Sequence, residues 1–368
     1  MVPCENMNGI KKILPLLVLV LFCIAASCAT SPAGTGPGPA PLWVSDRNAA
    51  FPDSQWLCVV ESAKDKDTAQ GAAMNALARV FRTDILGITV AYQEFTNVAS
   101  QSGKKKIASF TEGRDFAQEV TTTSNITGLI GVQSEVWTGP DGTAYANARM
   151  NRRECAARYQ ALIKENEGVI RLLKEEAERD AATFDAFEAL NFAVSVAEVT
   201  DYFQSLLEVL DPAKIGIRPD YGNADAVRRL AINAARSVVI TVQVKGDTGG
   251  RITTALTAFL DSKGFRTNSS GGSFAGSPGS RSYLLSAVFE LEDVVLGANQ
   301  PNKFVRYVLN TSIVNNEGRE VFSYSGNGRE GHVTESEARQ RAIRAAESAI
   351  GTEAFAKGFN AYLESLLK

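Results

Sequence analysis

The chain has 368 residues, with 38 Lys and Arg against 41 Asp and Glu and a formal net charge of −3. Apolar residues make up 45 % and charged residues 21 %. That composition excludes global disorder and can fill two or three cores. The lack of a basic excess excludes nucleic acid as the main partner, and a single His excludes His-rich metal sites.

The N-terminus reads as an address. Lys11 and Lys12 precede an apolar run, Ile13–Ala26. As a helix it would span about 21 Å at roughly 1.5 Å per residue, short of the roughly 30 Å hydrocarbon core. It is therefore a signal-peptide segment and not a membrane span. Met7 offers an alternative start. Ala25-Ala26-Ser27-Cys28 resembles the bacterial lipobox, with Ala25 where Leu is common. The resemblance implies cleavage after residue 27 and acylation of Cys28, so that acyl chains at Cys28 engage membrane lipid. Removing residues 1–27 takes away two Lys and one Glu and leaves a net charge of −4. Residues 28–41 are Pro- and Gly-rich and form a tether.

A first folded unit is expected over 42–155. Gln55–Ser62 reads as a buried strand and Asp67–Ile85 as an Ala-rich helix. Ile88–Val98 alternates like a strand, Lys104–Lys106 is a solvated run, and Phe110–Thr122 suits a second helix. Gly131–Thr138 and Thr143–Met150 are strands joined by a Gly139-Pro140-Asp141-Gly142 turn. Pro41-Leu42-Trp43-Val44, the strand and Ala-rich helix, and Leu129–Val132 with Glu135, Trp137, Asp141, Gly142 and Tyr145 together carry a resemblance. Residues 41–155 resemble the twenty-kilodalton membrane-associated bacterial lipoprotein family, whose domain is related to one in the flagellar T-ring assembly protein. The resemblance implies a non-enzymatic, envelope-associated domain. The chain departs from the family's V-G-x-A pattern at Cys58-Val59-Val60-Glu61-Ser62, where the family carries a glycine after the first strand.

Arg152–Asp180 and Ala181–Leu210 carry helical periodicity, and residues 156–212 are expected to form a helical hairpin or long insertion. The stripe of Phe184, Phe187 and Phe203 is either core, a partner seam, or the wall of a pocket. Asp211-Pro212 ends it. A second α+β unit is expected over 223–368. Its elements are a helix Asn223–Ser237, a strand Val238–Val244, a helix Ile252–Lys263, strands at Ser282–Val294, Phe304–Asn315 and Arg319–Tyr324, and helices to Ile350 and Leu367. A capping box of Thr334 with Glu337 starts the penultimate helix. At the level of fold this unit resembles partner-docking domains such as the TolB N-terminal domain.

The chemistry on offer is sparse. Gly246–Arg251 lacks phosphate-loop spacing and reads as a helix-start turn. His332 is expected in a glycine-rich surface loop. Glu290 and Glu292 share a strand face and read as solvated. No Ser-His-Asp, Cys-His or metal spacing emerges, so no catalytic residue, metal or cofactor is expected. Cys58 and Cys155 remain after processing, as a disulfide or as two buried thiols. The expectation is an α+β exported lipoprotein of the cell envelope, at the outer membrane before the inner. It would be non-catalytic and bind an envelope protein. Alternatives are a carrier of a small apolar ligand and a hydrolytic enzyme.

Overall fold

The computed structural model describes residues 38–81, 129–268, 282–295 and 301–367. The signal segment, Cys28, most of the tether, and the elements expected at Ile88–Val98 and Phe110–Thr122 lie outside the described residues. The fold is α+β.

Two short helices, α1 (Leu42–Ser45) and α2 (Arg47–Ala50), lead into β1 (Trp56–Ala63) and α3 (Lys66–Val80). The hairpin of β2 (Gln133–Thr138) and β3 (Ala144–Asn151) follows. Its turn is the expected one. The Gly139 N–H donates to the Thr143 carbonyl at 2.8 Å, and Asp141 Oδ1 accepts from the Thr143 N–H at 3.1 Å. β3 lies between β1 and β2, antiparallel to both. Side chains alternate across the strands. Leu57, Val59 and Ala63 therefore join Met150, Ala148 and Ala144 on the face that packs on the core, while Cys58, Arg149 and Asn147 occupy the opposite face.

That parity separates the two cysteines. Cys155, in the first turn of α4 (Arg152–Arg179), belongs to the core, and its thiol points at the Gly131 carbonyl, 3.8 Å away. Cys58 is buried on the other side of the sheet. Both are free thiols. β1 and β3 are neighbours, as the bridge would require, but the bridge does not form because Cys58 faces away.

α4 and α5 (Phe184–Leu210) form the expected antiparallel hairpin. Asn151 and Thr183 cap them through N–H groups of Glu154 and Ala186. At the open end Arg152 Nη1 donates to the Val209 carbonyl at 2.8 Å, a cation on the C-terminal carbonyls of α5. Midway, buried Asn166 donates to Thr200 Oγ1 at 2.9 Å, and Thr200 Oγ1 donates onward to the Val196 carbonyl at 2.7 Å. At about 1.5 Å per residue the 28-residue α4 is about 42 Å long. α6 (Ala224–Ser237) packs along α5, and its first N–H donates to Asp201 Oδ2 at 2.9 Å.

The second sheet contains β4 (Val239–Lys245), β5 (Arg266–Asn268), β6 (Ser282–Val294), β7 (Lys303–Val314) and β8 (Glu320–His332) in the order β5-β4-β6-β7-β8. β4 runs parallel to β5 and β6, and the other pairs are antiparallel. α7 (Arg251–Ser262), α8 (Glu335–Gly351) and α9 (Ala354–Ser365) complete the unit. The edge strand β5, three residues paired with β4, is too short to show an alternation in the sequence. β8 runs eight residues past Tyr324. Its Gly326, Gly328 and Gly331 lie against the rings of Tyr324, Tyr307 and Phe304, where an added Cβ would come within 2.1, 2.4 and 2.6 Å. Glycine here makes room for aromatic neighbours; it does not mark a loop.

The apolar residues form two cores. The first joins sheet one to α3, α4, most of α5, and Ala224, Val227 and Ala231 of α6. The second joins sheet two to α7, α8, α9, Phe184 and Ala235. The divisions expected at 155 and 223 therefore do not separate the cores, because the hairpin completes the first and its second helix starts inside the second.

Candidate functional site

Sheet two has unequal faces. Tyr283, Leu285, Ala287 and Phe289 of β6, with Val305, Tyr307, Leu309 and Ile313 of β7, are buried in the second core. The alternate residues form the other face. Ser286, Val288 and Glu290 of β6 stand beside Ser312, Asn310 and Val308 of β7, followed by Ser323, Ser325 and Asn327 of β8. Asn310, Ser323, Ser325 and Asn327 are exposed, and Val288 is 38 % exposed. The middle of this face carries hydroxyls, amides and small aliphatics. Lys245 of β4 stands beside Val288, and more charge gathers toward one end, where Glu292 pairs with Arg306 at 3.9 Å and Arg329 stands over the Phe304 ring. Glu290 and Glu292 are exposed, as expected of a solvated strand. The adjacent Asp293 is held by Arg339 at 2.6 Å.

His332 is the last residue of β8, not a loop residue. Its Nδ1 accepts the Thr334 N–H at 3.2 Å. The expected capping box is absent. No side chain of Thr334 caps α8, and Glu337 instead accepts from Arg344 at 2.5 Å. Two arginines on the following turns outcompete a backbone N–H for this carboxylate, and they hold Glu337 below the usual range.

The glycine turn before α7 is structural, as expected. Asp247 Oδ2 accepts from the N–H and hydroxyl of Thr253 at 2.8 and 2.9 Å. Gly246 has φ +83° and lies against the Phe289 carbonyl.

A cleft of about 640 Å³ opens where the two cores meet, between α5, α6, the end of α7 and α9. Phe187, Val194, Ile232 and Leu363 supply its apolar wall, and Glu188, Glu198, Arg228, Lys263 and Glu364 its charges. Arg228 binds Glu198 at 2.5 Å. Glu188 is 94 % buried by its 6 % exposure. Burial first, and then the Glu364 carboxylate, push its carboxyl up to about 7, against a hydrogen bond from Asn191 and the charge of Lys263. Sequence reasoning missed Glu188. The signal was available, because Glu188 stands one helical turn from both Phe184 and Phe192 on the buried stripe.

The aromatic pocket of the carrier reading does not form. Phe184 is fully buried in the second core, Phe203 packs on Tyr159 in the first at 5.6 Å, and of the three only Phe187 lines the cleft. A second cleft of about 780 Å³ lies at the other end of the hairpin, beside Asp53, Arg152, Arg153, Asp211 and Pro212. Among the described residues no group of three or more His, Cys, Asp or Glu could hold a metal ion, and no helix is long and apolar enough to cross a membrane.

No family model matches the chain. No curated protein matches it. Among solved structures it is similar to the secreted protein HP1454 from Helicobacter pylori, at 10 % identity over 80 % of this chain and 97 % of that one, with a TM-score of 0.38. It is also similar to a minor lipoprotein from Acinetobacter baumannii, at 11 % identity over 34 % of this chain and 90 % of that one, with a TM-score of 0.24. These scores are too low for any property to pass from those proteins to this one.

Proposed function

We propose that the chain is an exported bacterial lipoprotein, acylated at Cys28, that acts without catalysis by presenting its second sheet to another protein of the cell envelope. The observation that carries the partner role is the face of that sheet on which, among the described residues, Asn310, Ser323, Ser325 and Asn327 are exposed. Its exposed centre is mostly amide and hydroxyl, with Lys245 beside Val288, and its charges are of both signs, which suits a protein surface better than lipid or nucleic acid. The lipobox and the Pro- and Gly-rich tether support an anchor, since two or three acyl chains hold a protein stably where one does not. The outer membrane is the proposed host. The clefts support a non-catalytic reading. Glu198 and Arg228 neutralise one another, and the Ser262 hydroxyl on the wall is spent on the Phe259 carbonyl at 2.6 Å.

Site-specific photo-cross-linking in intact cells tests this. A photoreactive residue at Asn310 or Ser325 should give a discrete adduct with an envelope protein, while one at Arg344, on α8, should not. Adducts from Arg344 alone, or from none of the three, would overturn the assignment of the face.

A further inference from the structure

The loop between α5 and α6 carries two isoleucines that the fold leaves outside. Ile215 is 65 % exposed and Ile217 is 54 % exposed. They flank Gly216, whose φ is +79°. The loop is a built element. The Lys214 N–H donates to the Asp211 carbonyl at 2.9 Å, the Ile217 N–H to the Lys214 carbonyl at 3.1 Å, and the Gly216 N–H to Glu208 Oε1 at 3.4 Å. Arg218 pairs with the same carboxylate at 3.5 Å and remains 61 % exposed. Lys214 is exposed. Two aliphatic side chains held outward between two cations are unlike the exposed face of the second sheet, whose centre is mostly amide and hydroxyl.

The place of the loop in the molecule matters as much as its composition. Asp211 and Pro212, which open it, line one cleft with Asp53 and Ser54. It therefore belongs to the first sheet's end of the hairpin, and the described chain enters that same unit from the tether at Gly38, whose carbonyl accepts from Trp137 Nε1 at 3.3 Å. Ten Cα steps separate Cys28 from Gly38, and at about 3.6 Å each they span at most about 36 Å. β1 and β3, eight residues each, run about 27 Å at roughly 3.3 Å per residue. A bilayer holding acyl chains at Cys28 thus lies within reach of either end of this sheet.

We propose that Ile215 and Ile217 insert into the interface of the bilayer that anchors the chain, with Lys214 and Arg218 against anionic headgroups. Apolar side chains at the acyl boundary with basic neighbours at the headgroups are the general arrangement of interfacial contacts. Such a second contact turns a protein that swings on its tether into one held with a fixed side to the lipid. The inference rests on the acylation of Cys28.

The test uses the acylated full chain reconstituted into phosphatidylglycerol-containing vesicles, with an environment-sensitive fluorophore on Ile217→Cys. Cys58 and Cys155 are buried, so labelling of the folded protein is selective. A second sample carries the label on Ser312→Cys in the second sheet. The proposal expects a blue-shifted emission at 217 that is quenched by nitroxide-labelled lipid, and aqueous emission at 312. The shift at 217 should shrink when Lys214 and Arg218 are both replaced by Gln. If the protein floats with the vesicles but the label at 217 reads water, the insertion is wrong and the anchor stands. If it does not float, the anchor is wrong and the insertion falls with it. A blue shift at 217 without lipid, growing with the concentration of the non-acylated Cys28→Ala chain, would assign the loop to self-association and overturn the proposal.

Discussion

Phe184, the first residue of α5, stacks on Tyr283 of β6 with ring centroids 4.2 Å apart, and its backbone N–H donates to the Tyr283 hydroxyl at 3.3 Å. Phe265, Phe359 and Tyr362 close around the same ring. One residue of the hairpin is thus the centre of the second core. Phe184→Ala should cost about 3–5 kcal/mol, the range for truncating a buried Phe. Guanidinium unfolding of the full chain reads this directly. A loss under about 1 kcal/mol would show that the second core closes without the hairpin. For the same reason a fragment beginning at Asn223 should be less stable than its own elements suggest.

Gly246 is where β4 turns into α7. Its φ of +83° is one that side chains rarely adopt, and an added Cβ would sit 2.0 Å from the Phe289 carbonyl oxygen. That oxygen belongs to a central strand and has nowhere to move. Gly246→Ala should destabilise by about 3 kcal/mol. Gly249→Ala, in the same turn but with its nearest atom at 3.9 Å, should change stability little. Equal midpoints for the two variants in chemical denaturation would contradict this.

Much of the architecture is legible in the sequence, and the failures share a physical cause. Alternation located β6 and β7, and turn chemistry located the β2–β3 hairpin, because both signals are local. β8 was cut short at Tyr324 because Gly326, Gly328 and Gly331 read as loop, when each yields space to a ring. Two of those rings, Tyr307 and Phe304, belong to β7, across the sheet. The Thr334–Glu337 box does not form because Arg341 and Arg344 take the Glu337 carboxylate. The bridge between Cys58 and Cys155 depended on which side of β1 faces the core, and a one-residue parity decides that. Glu188 is the instructive omission. An acid on an apolar stripe was visible, but the Glu364 carboxylate that shares its cleft lies far along the chain.

Glu188 makes stability depend on pH with a definite sign. Its carboxyl is raised from 4.5 to about 7. Between those values the folded state binds more protons than the unfolded state, so its contribution to stability is largest below about 4.5 and declines as pH rises to about 7. The full swing is on the order of 3 kcal/mol. Glu188→Gln should flatten this part of the profile and raise the denaturation midpoint at pH 8. A variant that is less stable than the parent at pH 8 would show that the ionised carboxylate is satisfied in the cleft.

The two thiols should react only after unfolding. Burial raises both, Cys155 to about 11 and Cys58 in the same direction, and the thiolate is the reactive form. Iodoacetamide at pH 8 should leave both positions unmodified in the folded protein and alkylate both in denaturant without reductant. A mass two hydrogens lower, with no alkylation, would mean that the protein carries the bridge.

The central claim is the anchor at Cys28, since the partner role of the sheet and the lipid contact of the loop both presuppose it. Mass spectrometry of the N-terminal peptide, taken from protein purified out of the membrane fraction, measures it most directly. The account predicts a peptide that begins at Cys28 and carries a diacylglyceryl group, and its disappearance, with release of the chain from membranes, in Cys28→Ala. A peptide that begins at Met1 or Met7 and includes an unmodified Cys28, in protein that still sediments with membranes, would contradict it.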